Sequence, residues 1–227
     1  SDGPRPAAMS NLALRAISTI VLAPLAVLTA YLGGWPFALF WAAAAIAVLW
    51  EWVSLVSGAL WIVAGIAYAC ILWLAPMLLR ADQAGGFKAL LLLFVIVWTT
   101  DVLGYFVGRT IGGPKLCAAI SPKKTWSGAI AGAVGATLVV LLLGSYFGSR
   151  NAIALMALLL SVVAQLGDLL ESWVKRQFGA KDASHLIPGH GGVMDRLDGF
   201  WAAALIGCLI GTLRGGLNHA ATGLLVW

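Results

Sequence analysis

The chain has 227 residues, 61% of them hydrophobic and only 10% charged, with a formal net charge of +5 and a mean hydropathy of +0.95. Soluble domains carry about 25% charged residues, so this composition excludes a water-soluble globule and points to an integral membrane protein. Its three cysteines, Cys70, Cys117 and Cys208, are far apart and lie in or beside apolar segments, which suggests neither a disulfide framework nor a zinc spacing.

The opening SDGPRPAAMS has no initiating Met and reads as a trimmed start or an added remnant, so residues 1–14 are taken as an N-terminal tail. After Arg15 the apolar run is too long for the core of a signal peptide, and more such runs follow, so it reads as a retained helix. Segments of about 20 apolar residues can cross a bilayer as helices, and seven are expected near 15–32, 36–56, 59–79, 89–107, 127–147, 151–174 and 198–214. The closing stretch Leu217–Trp227 is short for a crossing and reads either as an interfacial segment or as an extension of the last helix past Gly215-Gly216. The expected fold class is an all-α integral membrane protein, a polytopic bundle of about seven transmembrane helices, or eight if this last stretch crosses. Residues 15–227 form a single transmembrane domain, because the longest polar intervals, 109–126 and 175–197, are too short for a soluble one.

Lys and Arg accumulate in cytoplasmic loops. With the N-terminus inside, the inner set is Arg5, Arg15, Arg109, Lys115, Lys123, Lys124, Lys175, Arg176, Lys181 and Arg196, against Arg80, Lys88, Arg150 and Arg214 outside. This orientation makes loops 109–126 and 175–197 cytoplasmic. It also gathers Glu51, Asp101, Asp168, Glu171, Asp195 and Asp198 at one level of the membrane, where acidic residues default to functional hypotheses.

Loop 109–126 contains Ser121, Lys123, Lys124 and Thr125, two cations and two hydroxyls beside the start of a helix. Phosphate oxygens suit such a set, although a positive-inside cluster touching anionic lipid head groups has the same composition. The sixth segment ends QLGDLLESWVKR, whose helical spacing places Asp168, Glu171, Ser172 and Lys175 along one face, with Glu171 and Lys175 at an i,i+4 separation. Beyond it, Gly189-His190-Gly191-Gly192 offers a backbone that a ligand can approach closely, and Asp195 and Asp198 open the seventh segment at i,i+3. Magnesium prefers oxygen ligands and often uses one or two carboxylates together with substrate phosphates. The two acidic clusters, flanked by Lys175, Arg176, Lys181 and Arg196, therefore read as a metal–phosphate site. Salt bridges closing a cytoplasmic rim account for the same residues equally well.

Ser172–Asp198 resembles the signature of phosphatidate cytidylyltransferases, also called CDP-diacylglycerol synthases: S-x-apolar-K-R-x4-K-D followed by P-x-H-G-G-apolar-x-D-R-apolar-D. DVLGYFVGRTIGGPKL at 101–116, SPKKTWSG at 121–128 and LGGWPF…WEW between Leu32 and Trp52 are also similar to that family. Ser127 departs from the pattern, which more often has Glu or Gln there. The resemblance implies an enzyme of phospholipid biosynthesis, multi-pass in the inner (cytoplasmic) membrane with its active site facing the cytoplasm. It would transfer the cytidylyl group of CTP to phosphatidate, giving CDP-diacylglycerol and pyrophosphate. The implied partners are CTP, phosphatidate and the lipid bilayer, with no nucleic acid, and relatives suggest a homodimer. The implied cofactor is Mg²⁺, with room for a second cation. On the same ground Asp168 and Asp195 hold the principal cation, with Asp198 and Glu171 as further ligands or orienting groups. Lys175, Arg176, Lys181 and Arg196 engage phosphates, while Ser121, Lys123, Lys124, Thr125, Ser172, Gly191 and Gly192 bind substrate. His190 contributes a hydrogen bond or acts as a base, and Asp101 and Glu51 support the site from neighbouring helices. A CTP-dependent transferase for another lipid phosphate or a polyprenol would share these electrostatics, and an ion-coupled transporter is the competing class. Against the transporter stand the absence of an inverted repeat and the gathering of charge at one face instead of the midplane. A CDP-alcohol phosphotransferase is disfavoured, because its D-G-x2-A-R…G-x3-D-x3-D pattern is missing.

Overall fold

The computed structural model describes residues 11–184, 186 and 191–227. The chain runs α1 (Asn11–Leu32), α2 (Gly34–Leu55), α3 (Ala59–Ala81), α4 (Gly86–Thr110), β1 (Lys115–Cys117), β2 (Ser121–Thr125), α5 (Trp126–Leu142), α6 (Gly144–Phe147), α7 (Arg150–Gln177), α8 (Met194–Gly215), a 3-10 turn at Leu217–His219, and α9 (Ala220–Leu225). Among these, α2, α3, α4, α7 and α8 are long and apolar enough to cross a membrane; α5 and the Val21–Leu32 part of α1 are shorter apolar helices. A mostly helical membrane protein is thus what the hydropathy pattern specified.

Three details differ from the sequence reading. The segment expected at 127–147 is broken, since α5 stops at Leu142 and Gly144, a poor helix former, begins the separate four-residue α6. The segment expected from residue 198 already starts at Met194, so Asp195 and Asp198 both lie in the first turns of α8. Within loop 109–126 the strands β1 and β2 form an antiparallel ribbon that pairs Lys115 with Thr125 and Cys117 with Ser121. Pro114 and Pro122 disfavour helix there. The C-terminal stretch does not extend α8. Gly216, at φ 78°, reverses the chain, and the six residues of α9, at about 1.5 Å each, are far too short to cross a bilayer.

α4 lies at the centre of the bundle, with Leu90, Leu93, Phe94, Ile96 and Val97 buried against its neighbours. Small residues set the close helix contacts, as membrane packing favours. A Cβ on Gly132 would lie 2.8 Å from the Thr100 carbonyl oxygen, and one on Gly128 would lie 3.1 Å from the Gly108 Cα, so α5 rests backbone to backbone on α4. Thr100 and Ser161 share a buried hydrogen bond of 2.6 Å that ties α4 to α7. Phe200 of α8 stacks between Trp41 of α2 at 4.8 Å and Phe94 of α4 at 5.2 Å.

At the end of the bundle where α3 turns into α4, charged groups hold the chain together. Arg80 donates from Nε to the Ala30 carbonyl at 2.6 Å and from Nη2 to that of Tyr31 at 3.1 Å, closing the C-terminal end of α1. Arg214 donates to the Gly223 carbonyl at 2.5 Å and lies 3.5 Å from the centre of the Trp227 ring. Asp82 is buried and accepts from the Ala84 N–H at 3.0 Å and the Thr222 N–H at 2.7 Å, pinning α9 to the α3–α4 turn. Burial pushes the Asp82 carboxyl up, but the hydrogen bonds from Thr222 and Ala84 outweigh it and hold the group below the usual carboxylate range.

With its folded pKa below the unfolded value of about 3.9, Asp82 contributes stability that is complete above that pH and is lost as pH falls through the lower folded value. Asp82→Asn should lower stability at neutral pH by about 1–3 kcal/mol and flatten the acid side of the stability–pH profile. Thermal unfolding of detergent-solubilised protein across pH 3–7 checks both outcomes.

Candidate active site

The opposite end of the bundle gathers the C-terminal half of α7, the start of α8, the end of α2 and the β1–β2 ribbon. α7 and α8 cross closely there because Gly167 leaves room: a Cβ at that position would lie 2.7 Å from the Asp198 carbonyl oxygen. This contact presses the first turns of α8 onto the face of α7 that carries Asp168, Glu171, Ser172 and Lys175. As a result, oxygens of Asp168, Glu171 and Asp198 all lie within 4.8 Å of one another.

Each carboxylate has a different set of partners. Asp168 forms an ion pair with Lys124 from β2, and its Oδ1 accepts from the Ser172 hydroxyl at 3.4 Å. Asp198 Oδ1 accepts from the Gly199 N–H at 2.7 Å. Glu171 Oε2 accepts from the buried Lys175 ammonium at 3.1 Å, while Glu171 Oε1 is buried with no hydrogen-bond donor among the described residues. An ionised oxygen in that state is costly, and either a proton shared with the neighbouring Asp198 carboxyl or a cation held among these hard oxygen donors relieves it. On this observation the trio Asp168, Glu171 and Asp198 fits a divalent ion.

Asp195 is engaged beside the trio. Its Oδ1 accepts from Lys175 Nζ at 2.5 Å, and its Oδ2 accepts from the N–H groups of Gly192 at 2.7 Å and Ala183 at 3.0 Å. The sequence reading paired Asp168 with Asp195. In the structure the two belong to adjoining networks that Lys175 joins, bonded to Glu171 on one side and Asp195 on the other.

The other expected residues divide between positioning and exposure. Arg176 donates to the carbonyls of Ala180 at 2.7 Å and Ile120 at 3.3 Å, tying the ribbon turn to the segment after α7. Thr125 is buried as the N-cap of α5, accepting from the Gly128 N–H at 3.2 Å, and it shares a 3.0 Å hydrogen bond with Ser127. Ser127 donates in turn to the Gly112 carbonyl, which closes the loop onto the ribbon. Ser121 is partly buried on β2, and Lys123, Lys181 and Arg196 are exposed at this end. Asp101 of α4 lies in the electrostatic reach of Asp168, Lys124 and Arg196. His190 lies outside the described residues.

Gly191 and Gly192 have a steric reason to be glycine. Gly191 has φ 87°, and a Cβ there would lie 2.9 Å from Asp195 Oδ2. A Cβ on Gly192 would lie 2.7–2.9 Å from the carboxylate of Glu51. Glu51 is the group whose importance the sequence understated. It is fully buried at the end of α2 and accepts from the Ser184 hydroxyl at 2.6 Å, the Val193 N–H at 2.8 Å and the Met194 N–H at 2.7 Å. These last two N–H groups, at the start of α8, lie where a helix offers its donors no acceptor of its own, and a negative charge there suits both their hydrogen bonding and the helix dipole. Glu51 therefore caps, from another helix, the helix that carries Asp195 and Asp198. The available signal was an acid inside an otherwise apolar segment.

A model of the cytidylyltransferase family matches residues 57–213, from the α2–α3 turn to the last turn of α8. The chain belongs to the cytidylyltransferase family. The matched interval contains the trio, Lys124, Lys175 and Asp195. The chain is 40% identical to the phosphatidate cytidylyltransferase of Brucella abortus biovar 1 (strain 9-941), over 90% of this chain and 95% of that protein. It is 37% identical to the phosphatidate cytidylyltransferase of Rickettsia bellii (strain RML369-C), over 83% and 86%. Against the relative from Rickettsia typhi (strain ATCC VR-144 / Wilmington), of the same name, identity is 33% over 83% of this chain and 86% of that one.

Glu51→Ala should leave the Ser184 hydroxyl and two N–H groups of α8 without their acceptor. At about 1–3 kcal/mol for each buried unpaired group, stability should fall by about 3–9 kcal/mol and turnover should drop with it. Glu51→Gln retains one acceptor oxygen and should fall between. Melting temperature and initial rate, measured on the same detergent preparations, check the order of the three proteins.

Proposed function

We propose that this family member transfers the cytidylyl group of CTP to phosphatidate, releasing pyrophosphate and leaving CDP-diacylglycerol in the membrane. The observation that carries the reading is the carboxylate trio, with a Glu171 oxygen that has no donor among the described residues, at the end of an apolar bundle, in a chain that matches the family across that site. The relatives' shared name supplies the lipid substrate.

In the reaction, an oxygen of the lipid phosphate forms a bond to the α-phosphorus of CTP as the bond from that phosphorus to the pyrophosphate oxygen breaks. The electron pair leaves with pyrophosphate. The attacking phosphate is largely ionised near neutral pH, so the chain need not supply a strong base. Asp168, Glu171 and Asp198 would hold a divalent cation, Mg²⁺ in our reading, which when bound neutralises phosphate charge. Lys175 offsets the negative charge of Glu171 and Asp195 and holds their side chains in place. Lys124 already sits on Asp168, close enough to exchange that carboxylate for an incoming phosphate. Exposed Lys123, Lys181 and Arg196 add cationic charge at the mouth, which suits a polyanionic nucleotide. Catalysis of this kind rests on positioning and fixed charge.

The same proposal includes the topology. Seven helices, α1 to α5 and α7 to α8, cross the membrane with the N-terminus cytoplasmic, and loops 109–126 and 175–197 face the cytoplasm, where CTP is found. The ten-to-four division of Lys and Arg supports this orientation.

Purified protein supplied with labelled CTP, Mg²⁺ and phosphatidate should form lipid-linked cytidine; no product under these conditions sinks the proposal. Asp168→Asn and Asp198→Asn should each reduce turnover by orders of magnitude, and the double variant should be little worse than the worse single one, since groups that act as a unit are non-additive. Lys124→Ala should lose about ten- to a hundred-fold in kcat/KM, the range for a charged hydrogen bond. For the topology, single-cysteine variants at Lys115 and Ala180 should resist an impermeant thiol reagent applied from the periplasmic side, and labelling of both from that side would overturn it.

A further inference from the structure

Tyr68 occupies the contact between α3 and α8, and its environment leaves one atom unexplained. The ring stacks on Trp201 with 4.3 Å between centroids and 5° between planes, and it also leans on Trp52 at 5.2 Å. The Trp201 indole N–H donates to the Tyr68 carbonyl oxygen at 3.0 Å, so one tryptophan holds both ring and backbone. Tyr68 is only 6% exposed, yet its hydroxyl has no hydrogen-bond partner among the described residues. Burying an unpaired hydroxyl is unfavourable, and phenylalanine would fill the same stack without that penalty.

The direction of the hydroxyl suggests what it serves. Side chains on a helix lean toward its N-terminus, and the N-terminus of α3 follows directly on the α2 turn that brings Glu51 to the start of α8. That lean is toward the end of the bundle that holds the carboxylates. The hydroxyl lies within electrostatic reach of Asp198, Glu171, Asp168 and Asp195. An O–H donor held in a rigid stack within electrostatic reach of four acids, and bonded to none of them among the described residues, is placed to serve a ligand.

We propose that Tyr68 is a substrate-contacting residue whose hydroxyl donates a hydrogen bond to a phosphate oxygen of substrate bound at the Asp168–Glu171–Asp198 trio. This assignment rests on the cytidylyl-transfer reading above. The phosphate oxygen belongs either to the lipid or to CTP, and the chemistry of recognition is the same for both.

Tyr68→Phe in the full-length protein removes one oxygen and leaves the stack intact. The melting temperature should stay the same or rise, because an unpaired buried hydroxyl has been deleted, while kcat/KM should fall about ten- to a hundred-fold, as for other hydrogen bonds to charged groups. A higher KM for phosphatidate alone assigns the contact to the lipid phosphate, and a higher KM for CTP alone assigns it to the nucleotide. A lower kcat with both KM values unchanged assigns a contact made only in the transition state. Thr222→Val is the control, because Thr222 Oγ1 is likewise buried without a hydrogen-bond partner among the described residues but lies at the far end of the bundle, beside Asp82; its kcat and KM values should match wild type. An active wild type equalled by Tyr68→Phe in kcat and both KM values overturns this assignment alone. So does a lowered melting temperature, which would mean that the hydroxyl has a structural partner. A wild type that forms no lipid-linked cytidine overturns the reaction reading and this assignment together.

Discussion

Carboxylates taken out of water into an apolar bundle need cations or N–H donors around them, and the whole end of this molecule is arranged to supply them. The buried Lys175 is the centre of that arrangement: one ammonium serves Glu171 on its own helix and Asp195 on the next. Removing one member of a buried ion pair is far more damaging than the pair is stabilising, so α7 and α8 are locked in register by charge as well as by packing. The backbone completes the neutralisation, with N–H groups from 183, 192, 193 and 194 directed at Asp195 and Glu51. What remains without a donor among the described residues, Glu171 Oε1 beside Asp168 and Asp198, is where our proposal puts the cation.

Glycine makes these approaches possible. Gly167 lets α8 come close enough to α7 for Asp198 to join Asp168 and Glu171, and Gly192 lets the chain pass over the Glu51 carboxylate at a distance no side chain would permit. The contacts of Gly128 and Gly132 with α4 do the same for α5, which in turn fixes the ribbon that presents Lys124 to Asp168. A chain of small residues thus connects the middle of the bundle to the geometry at its end. The opposite end uses charge for a different purpose, with Arg80, Asp82 and Arg214 closing helix ends and anchoring α9.

Much of the fold was legible because hydropathy in a membrane reports directly on helix position. The segments expected at 59–79 and 151–174 lie within α3 and α7, and their ends differ by only a few residues. The break between α5 and α6, the ribbon at Lys115–Thr125 and the return of α9 were not legible, because each depends on local backbone geometry or on docking against a partner that hydropathy does not record. The site was legible in kind: acids and bases at one end, with Asp168 and Glu171 spaced on one helical face. The partners of each acid were not.

The sequence by itself determined that this is a helical membrane protein with acidic and basic residues gathered at one level, because composition and 3.6-residue spacing act locally and survive without knowledge of neighbours. Only the tertiary structure decided which carboxylates meet. Asp195 and Asp198 are three residues apart on one helix, yet one is bound by Lys175 and the backbone while the other faces Asp168 and Glu171. That division follows from how α8 is rotated and capped against α7. Glu51 on α2 and the small residue at Gly167 set that orientation from positions distant in sequence, through contacts that exist only once the helices pack.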